Sequence, residues 1–350
     1  MALQPTSPTT THGVQNHTNA TTCPTGENHE WIYTVIPLYI LIITVLGIVL
    51  NLFVLMVFWL HKKACTVAEI YLSNLAAADL VLMACLPSWA VNVSNGFNWP
   101  FDQILCKVFN MGITMNVYCS IYFLVLVSID RYVALVHTMS HERMRRPRNA
   151  KLGCVLVWGL GFLLSVHTLI FRDLKHDPGL NFTKCYLKYR NINEELLYEG
   201  MLTTFTFIIP IAIICYCTIK IIQALNNRLM QGLNSQKVEH KATTLVLAVL
   251  LAFLICWVPF RLLKIVELLI KANVLQACII IKVQSISLQF FVYLAFFNSV
   301  LNPILYVIVG KNFRKRAKEL FTQWSNKRTS TLTINSTRSN LLRSFKLVSS

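Results

Sequence analysis

Apolar and polar positions in this chain segregate by whole segments, with no single-residue alternation. Seven long apolar runs, Trp31–Leu60, Thr66–Val93, Gln103–Val136, Lys151–Ile170, Leu196–Leu225, Ala242–Ile270 and Ile281–Val309, are separated by polar stretches. About 20 apolar residues cross a bilayer as a helix, and a helix satisfies its own backbone there. The pattern predicts an all-α fold, a seven-transmembrane helix bundle forming one domain over 31–310. A polar arm, 1–30, precedes it. After it, 311–324 mixes basic residues with Phe313, Leu320, Phe321 and Trp324, the pattern of a short amphipathic helix on the inner membrane surface. Residues 325–350 are polar and rich in Ser and Thr, and read as a disordered tail. Phe171–Glu195 is a long polar connection with a turn signal at Pro178-Gly179. Pro87, Pro210, Pro259 and Pro303 fall inside runs, where each removes a backbone bond and allows a kink.

Composition agrees with a membrane setting. The chain is 55% hydrophobic and 13% charged, against about 25% charged in soluble domains. Its charge of +17 is lopsided: residues 1–31 hold no Lys or Arg, whereas Glu142–Lys151 and the segment from Lys311 onward are strongly basic. By the positive-inside rule the N-terminus is extracellular and the C-terminus cytoplasmic. The basic surplus reports topology and contact with anionic membrane lipids, and nucleic acid is not an expected partner. The polar N-terminus has no apolar core, so no cleavable signal is expected. Asn16, Asn19 and Asn181 head glycosylation sequons on the predicted outside. Cys23, Cys106, Cys185 and Cys278 fall there too, with three possible pairings.

Asp79 sits mid-span, where a lone carboxylate needs partners. Asn116 and Ser120 share one helix face, as do Asn298 and Asn302. These groups suit either a small hard cation or a helix-packing network without an ion. Asp130-Arg131-Tyr132 closes the third run. Arg131 has two candidate partners, Asp130 beside it and Glu239 at the foot of the sixth run. The second pairing would tie two helices together, a two-state element; the first would be a local ion pair. The sequence holds no HExxH, GxSxG or Walker loop, so an enzyme is not expected. A ligand-gated ion pathway is the alternative reading.

The residues Gly47-Ile48-Val49-Leu50-Asn51, Leu75-Ala76-Ala77-Ala78-Asp79, Asp130-Arg131-Tyr132, Trp158, Cys256-Trp257-Val258-Pro259 and Asn302-Pro303-Ile304-Leu305-Tyr306 occur in order along all seven runs. This set resembles rhodopsin-like G-protein-coupled receptors. The resemblance implies a Cys106–Cys185 disulfide, a sodium ion as allosteric modulator at Asp79, Asn116, Ser120 and Asn298, and no other cofactor. It implies Trp257 as the pivot beneath the ligand. It also assigns switching and G-protein coupling to Asp130, Arg131, Tyr132, Glu239, Trp257, Asn302, Pro303 and Tyr306. Finer matches, Cys65–Leu72, Val127–Tyr132 and Tyr306–Lys311, are similar to the bradykinin receptors, type 2 more than type 1, because Thr114 replaces the Lys of type 1. This implies a kinin peptide ligand, Gq coupling with phospholipase C and calcium release, arrestin and receptor kinases as partners, and a second disulfide, Cys23–Cys278. The implied pocket is Trp89, Asn110, Ile113, Thr114, Arg172, Phe260, Glu267, Gln289 and Tyr293. There Glu267 would face a cationic end of the peptide and Arg172 its carboxylate.

The outer half departs from that pattern in charge. Ser285 stands where type 2 carries a second acid, and Arg261 and Lys264 add positive charge to the sixth span. Kinins are strongly cationic, so weaker electrostatic capture is expected. His167 replaces a frequent fourth-helix Pro and Thr218 a frequent fifth-helix Tyr.

Overall fold

The computed structural model describes residues 32–61, 64–136, 146–179, 181–230 and 237–325, without the side chains of 228–230 and 237–242. Among these residues the helices are α1 (Ile32–Leu60), α2 (Val67–Ser94), α3 (Gln103–Val136) and α4 (Pro147–Phe171). They continue with α5 (Ile192–Thr203), α6 (Ile209–Met230), α7 (Lys237–Lys271), α8 (Cys278–Ile308) and a short helix α9 over 311–325. Seven spans are long and apolar enough to cross a membrane, with α5 and α6 forming the fifth. The sites expected at Asn16, Asn19 and Cys23 lie outside the described residues, as does the tail beyond Ser325.

Helix ends follow local chemistry more closely than hydropathy. The fourth helix starts at Pro147, ahead of the apolar run, because proline at the first helical position is already set to helical φ. Thr66 caps α2 in a capping box: Glu69 N–H donates to Thr66 Oγ1 at 3.4 Å, and Thr66 N–H donates to Glu69 Oε2 at 2.7 Å.

The bundle is organised around α3. In the most apolar 18 residues of its span 72% are buried inside the protein, against 28% in the same length of the fourth. Phe123, Leu124, Leu75, Leu82, Leu86, Phe253 and Phe296 are sealed in the interior. Leu38, Val45, Val49, Leu152, Val155, Leu163, Ile255 and Phe290 point outward. An outward apolar surface of this extent on α1, α4, α7 and α8 is what lipid requires. Small residues set the tightest approaches. A Cβ at Gly161 of α4 would stand 2.5 Å from Cys119 Sγ, which is itself fully buried on α3. Gly161→Ala is therefore expected to cost about 1–3 kcal/mol through overpacking. A lowered unfolding temperature of the detergent-solubilised protein is the check.

Two features were not legible from the apolar pattern. The fifth span is broken by a π-helical segment, Thr204–Ile208, just before Pro210. Proline cannot donate to the preceding turn, and the Tyr122 hydroxyl of α3 donates to the Phe205 carbonyl there at 2.8 Å. The outer connection, read as a loop, contains a hairpin: β1 (Arg172–Asp177) pairs antiparallel with β2 (Phe182–Leu187), with Leu174 opposite Cys185. Its strand residues are mostly polar. The pairing is held by docking on α3 through the Cys106–Cys185 disulfide. Asn181 lies exposed in the turn with φ 46°, accessible for the modification its sequon expects.

The α9 helix lies where the amphipathic pattern placed it. Phe313 and Leu320 are buried, and Phe321 and Trp324 are exposed beside the basic residues. Phe313 packs edge-on against Phe53 and Phe58 of α1. Arg316 donates to Glu69 at 2.9 Å, so the acid that caps α2 also anchors α9. His61 pairs with Glu319 at 2.8 Å on the same side.

Candidate functional site

Three clusters of polar residues run through the bundle. The outermost is a cleft between α2, α3 and the hairpin, lined by Trp89, Phe97, Asn110, Arg172, Lys184 and Cys185. Trp89 meets Phe97 edge-on at 6.3 Å. Asn110 donates to the Cys106 carbonyl at 2.7 Å and lies 3.4 Å from Cys185 Sγ, so it holds the disulfide against α3. Arg172 donates to the Cys185 carbonyl at 3.1 Å. Burial pushes its guanidinium down to about 10, still charged at neutral pH. Burial, and Lys175 nearby, also lower Lys184. At the rim a hydrogen bond from Lys188 holds the Asp173 carboxyl below the usual range. The cleft is thus cationic on its hairpin side.

Ile113 and Phe260 are buried, and Gln289 and Tyr293 are half-buried on α8. The Tyr39 hydroxyl of α1 donates to the Tyr293 carbonyl at 3.1 Å. Thr114 is turned elsewhere. Its hydroxyl donates to the Asn110 carbonyl at 2.7 Å and lies 3.4 Å from that of Thr168, so it packs into the α3–α4 seam. Glu267 is not an unpaired carboxylate. Lys264 reaches it at 2.6 Å and Lys271 at 3.0 Å, and Lys271 also pairs with Glu195 of α5 at 2.6 Å. Two acids and two bases close on themselves and join the outer ends of the fifth and sixth spans.

Below the cleft, Trp257 stacks on Phe253 at 6.0 Å and meets Phe260 edge-on at 6.1 Å. Deeper still, Asp79 is fully buried. It accepts from Ser299 Oγ at 2.7 Å, Asn302 Nδ2 at 3.1 Å and Asn116 Nδ2 at 3.2 Å. Asn116 also donates to Ser120 Oγ at 3.2 Å. Asn51 donates to the Ser299 carbonyl at 3.0 Å, tying α1 to α8. Asn298 makes no bond to Asp79. Its Oδ1, with those of Asn302 and Asn51, is buried without a hydrogen-bond partner among the described residues. One carboxylate, a serine hydroxyl and unpaired amide oxygens form an oxygen-only donor set, which fits a small hard cation. Ser299 was missed in the sequence, although it lies three residues before Asn302 and hence on the same face.

At the inner end Arg131 is buried and pairs with its neighbour Asp130. The Glu239 side chain lies outside what the structure describes. Tyr132 meets Tyr216 at 5.9 Å. Tyr306 is sealed against Phe313, its hydroxyl without a partner among the described residues. Cys278 is disulfide-bonded at the outer end of α8. Cys23, its expected partner, lies outside the described residues.

A model of the 7 transmembrane receptor (rhodopsin family) matches residues 50–306. The chain belongs to the rhodopsin family of seven-transmembrane receptors. Members of that family are receptors, not enzymes, and signal through G proteins. This chain is accordingly a G-protein-coupled receptor and a multi-pass protein of the plasma membrane. It is 46% identical over 301 residues to the B2 bradykinin receptor of Oryctolagus cuniculus, covering 85% of this chain and 82% of that one. The B2 bradykinin receptor of Homo sapiens is 46% identical over 85% of this chain and 77% of its own length. The B1 bradykinin receptor of Macaca mulatta is 38% identical over 88% and 89%. Within the family the chain groups with the bradykinin receptors, nearer type 2 than type 1.

Proposed function

We propose that this receptor binds a kinin peptide in the outer cleft and signals through Gq, with phospholipase C activation and calcium release. The observation that carries the reading is the likeness to B2 bradykinin receptors, 46% identical over 301 residues and 85% of this chain. Trp89, Asn110, Ile113, Arg172, Phe260, Gln289 and Tyr293 line or support the path of the peptide. Glu267 takes its cationic end, and Thr114 acts from behind by setting the α3–α4 seam. The N-terminal arm, 1–30, is extracellular and glycosylated at Asn16 and Asn19, with Asn181 the site on the hairpin. The tail, 325–350, faces receptor kinases and arrestin in the cytosol. Calcium release in cells given bradykinin tests the ligand; silence to kinins at normal surface expression overturns it.

The signal passes inward by packing. A peptide that presses on Phe260 moves Trp257, which rests on Phe253. Pro259 and Pro303, inside α7 and α8, each remove a backbone hydrogen bond and let these helices bend against α3. The Asp79 cluster links α2, α3 and α8 at one carboxylate, so movement of any of these helices strains its hydrogen bonds. When bound there, sodium would supply positive charge to Asp79, held by Asp79, Ser120, Asn298 and Asn302. At the inner face Asp130 holds Arg131 in the resting state, and Glu239 adds a second hold from the sixth span. Glu239→Ala is therefore expected to raise basal signalling several-fold. Nucleotide exchange on purified G protein without agonist measures it, and an unchanged baseline removes Glu239 from the switch.

A further inference from the structure

We propose that Arg261 of α7 is the anion-binding residue beneath the outer cleft, at the level of Trp257, and receives the C-terminal carboxylate of the peptide; this rests on the kinin reading above. Arg261 lies one helical turn outward of Trp257, at the head of a narrow crevice with Val117, Ile121, Thr206 and Phe207. Its guanidinium stands 5.8 Å over the Trp257 ring and 5.9 Å over that of Phe260. That stacking covers a face of the cation and leaves the N–H edge, five donors in a planar fork, for a planar acceptor. Among the described residues Arg261 makes no hydrogen bond and has no carboxylate in ion-pair contact; Tyr118 and Glu199 act on it through space, without a bond. Of the other cations in the outer half, four have partners, while Lys184 belongs to the outermost cleft, which Trp257 does not line. Lys264 and Lys271 are bound to Glu267, Lys188 to Asp173, and Arg172 to the hairpin carbonyl that it braces.

A half-buried guanidinium without an anion stands out in a low-dielectric site, since buried charges are otherwise paired. A carboxylate matches its fork with two parallel N–H···O bonds. Placing the anion there also puts the peptide end directly on Trp257, so binding and the pivot share one residue. The sequence carries the signal only as an added charge on the sixth span. The contact with Trp257 follows from the i, i+4 spacing, but the missing partner is visible only in three dimensions.

The test compares bradykinin, with its free C-terminal carboxylate, and bradykinin C-terminal amide on wild type, R261Q, R261M and R172Q. Binding is measured at matched surface expression. Hydrogen bonds to a charged group correspond to roughly tenfold to a hundredfold in affinity. In wild type the amide is expected to bind at least about tenfold more weakly than the acid. In R261Q the acid is expected to weaken while amide binding persists, so the ratio falls to near one. Retained amide binding shows that the variant is folded. R261M keeps the packing on Trp257 and is expected to behave the same way. R172Q is expected to keep the wild-type ratio. A ratio near one in wild type, a ratio that survives in both Arg261 variants, or a ratio lost only in R172Q overturns the assignment and leaves the kinin reading intact. A surface-expressed wild type that binds neither peptide overturns both.

Discussion

Replacing Lys264 with Met is expected to raise the affinity for a cationic kinin roughly tenfold, while Glu267→Gln is expected to lower it by about 2–5 kcal/mol. The two changes move in opposite directions because the structure makes Lys264 a competitor of the ligand. Lys264 and Glu267 are 2.6 Å apart with side chains only 9% and 18% exposed, so the pair is not screened as a surface pair would be. Lys271 holds the second oxygen of the same carboxylate at 3.0 Å. An incoming cation therefore exchanges for a lysine and does not meet an open acid. An arginine can make that exchange because its planar fork bonds both carboxylate oxygens, whereas an ammonium is a point charge. Removing Lys264 removes the competitor. Removing Glu267 takes away the anchor and leaves Lys264 without its ion-pair partner, while Lys271 keeps Glu195. Saturation binding of labelled bradykinin on cells measures both, and equal affinities in Lys264→Met and wild type would show that the ligand cation lands elsewhere.

Asp79→Asn is expected to abolish any dependence of agonist affinity on sodium. Agonist binding in sodium chloride and in an impermeant organic chloride gives the comparison. In wild type sodium is expected to weaken agonist binding, and in the variant the two curves are expected to coincide. The reason is charge: among the described residues, Asp79 supplies the only carboxylate bonded into the cluster that holds the unpaired amide oxygens of Asn298 and Asn302. An asparagine keeps the shape and part of the hydrogen bonding but holds no monovalent cation. A sodium effect that persists in the variant places the ion at another site.

These two clusters differ in how far the chain announces them. Two of the three residues that bond Asp79 were legible, because helical periodicity puts Asn116 with Ser120, and Asn298 with Asn302, on common faces; Ser299 was not, and Asn298 makes no bond to Asp79. The Glu267 cluster was legible in half. Lys264 and Lys271 stand three residues before and four after it, the spacing at which helical side chains meet, yet Glu267 reads from family likeness as an open acid. The link from Lys271 to Glu195 spans 76 positions, and no local rule reaches it. Thr114 shows the same limit. Its identity separates this chain from type 1 receptors, but the rotation of α3, set by packing on α4, decides that its hydroxyl faces Thr168.

The sequence by itself determined the seven spans, their order, the position of α9 and the family. Lipid imposes one constraint on each segment separately: an apolar length with a self-satisfied backbone, which is readable wherever it occurs. Only the tertiary structure decided the charge state of the outer cavity. Whether Glu267 is open or closed, whether Arg261 has a partner, and whether a polar connection folds as a hairpin on α3 depend on distances between helices. Those distances come from many packed side chains together, of which Gly161 against Cys119 is one.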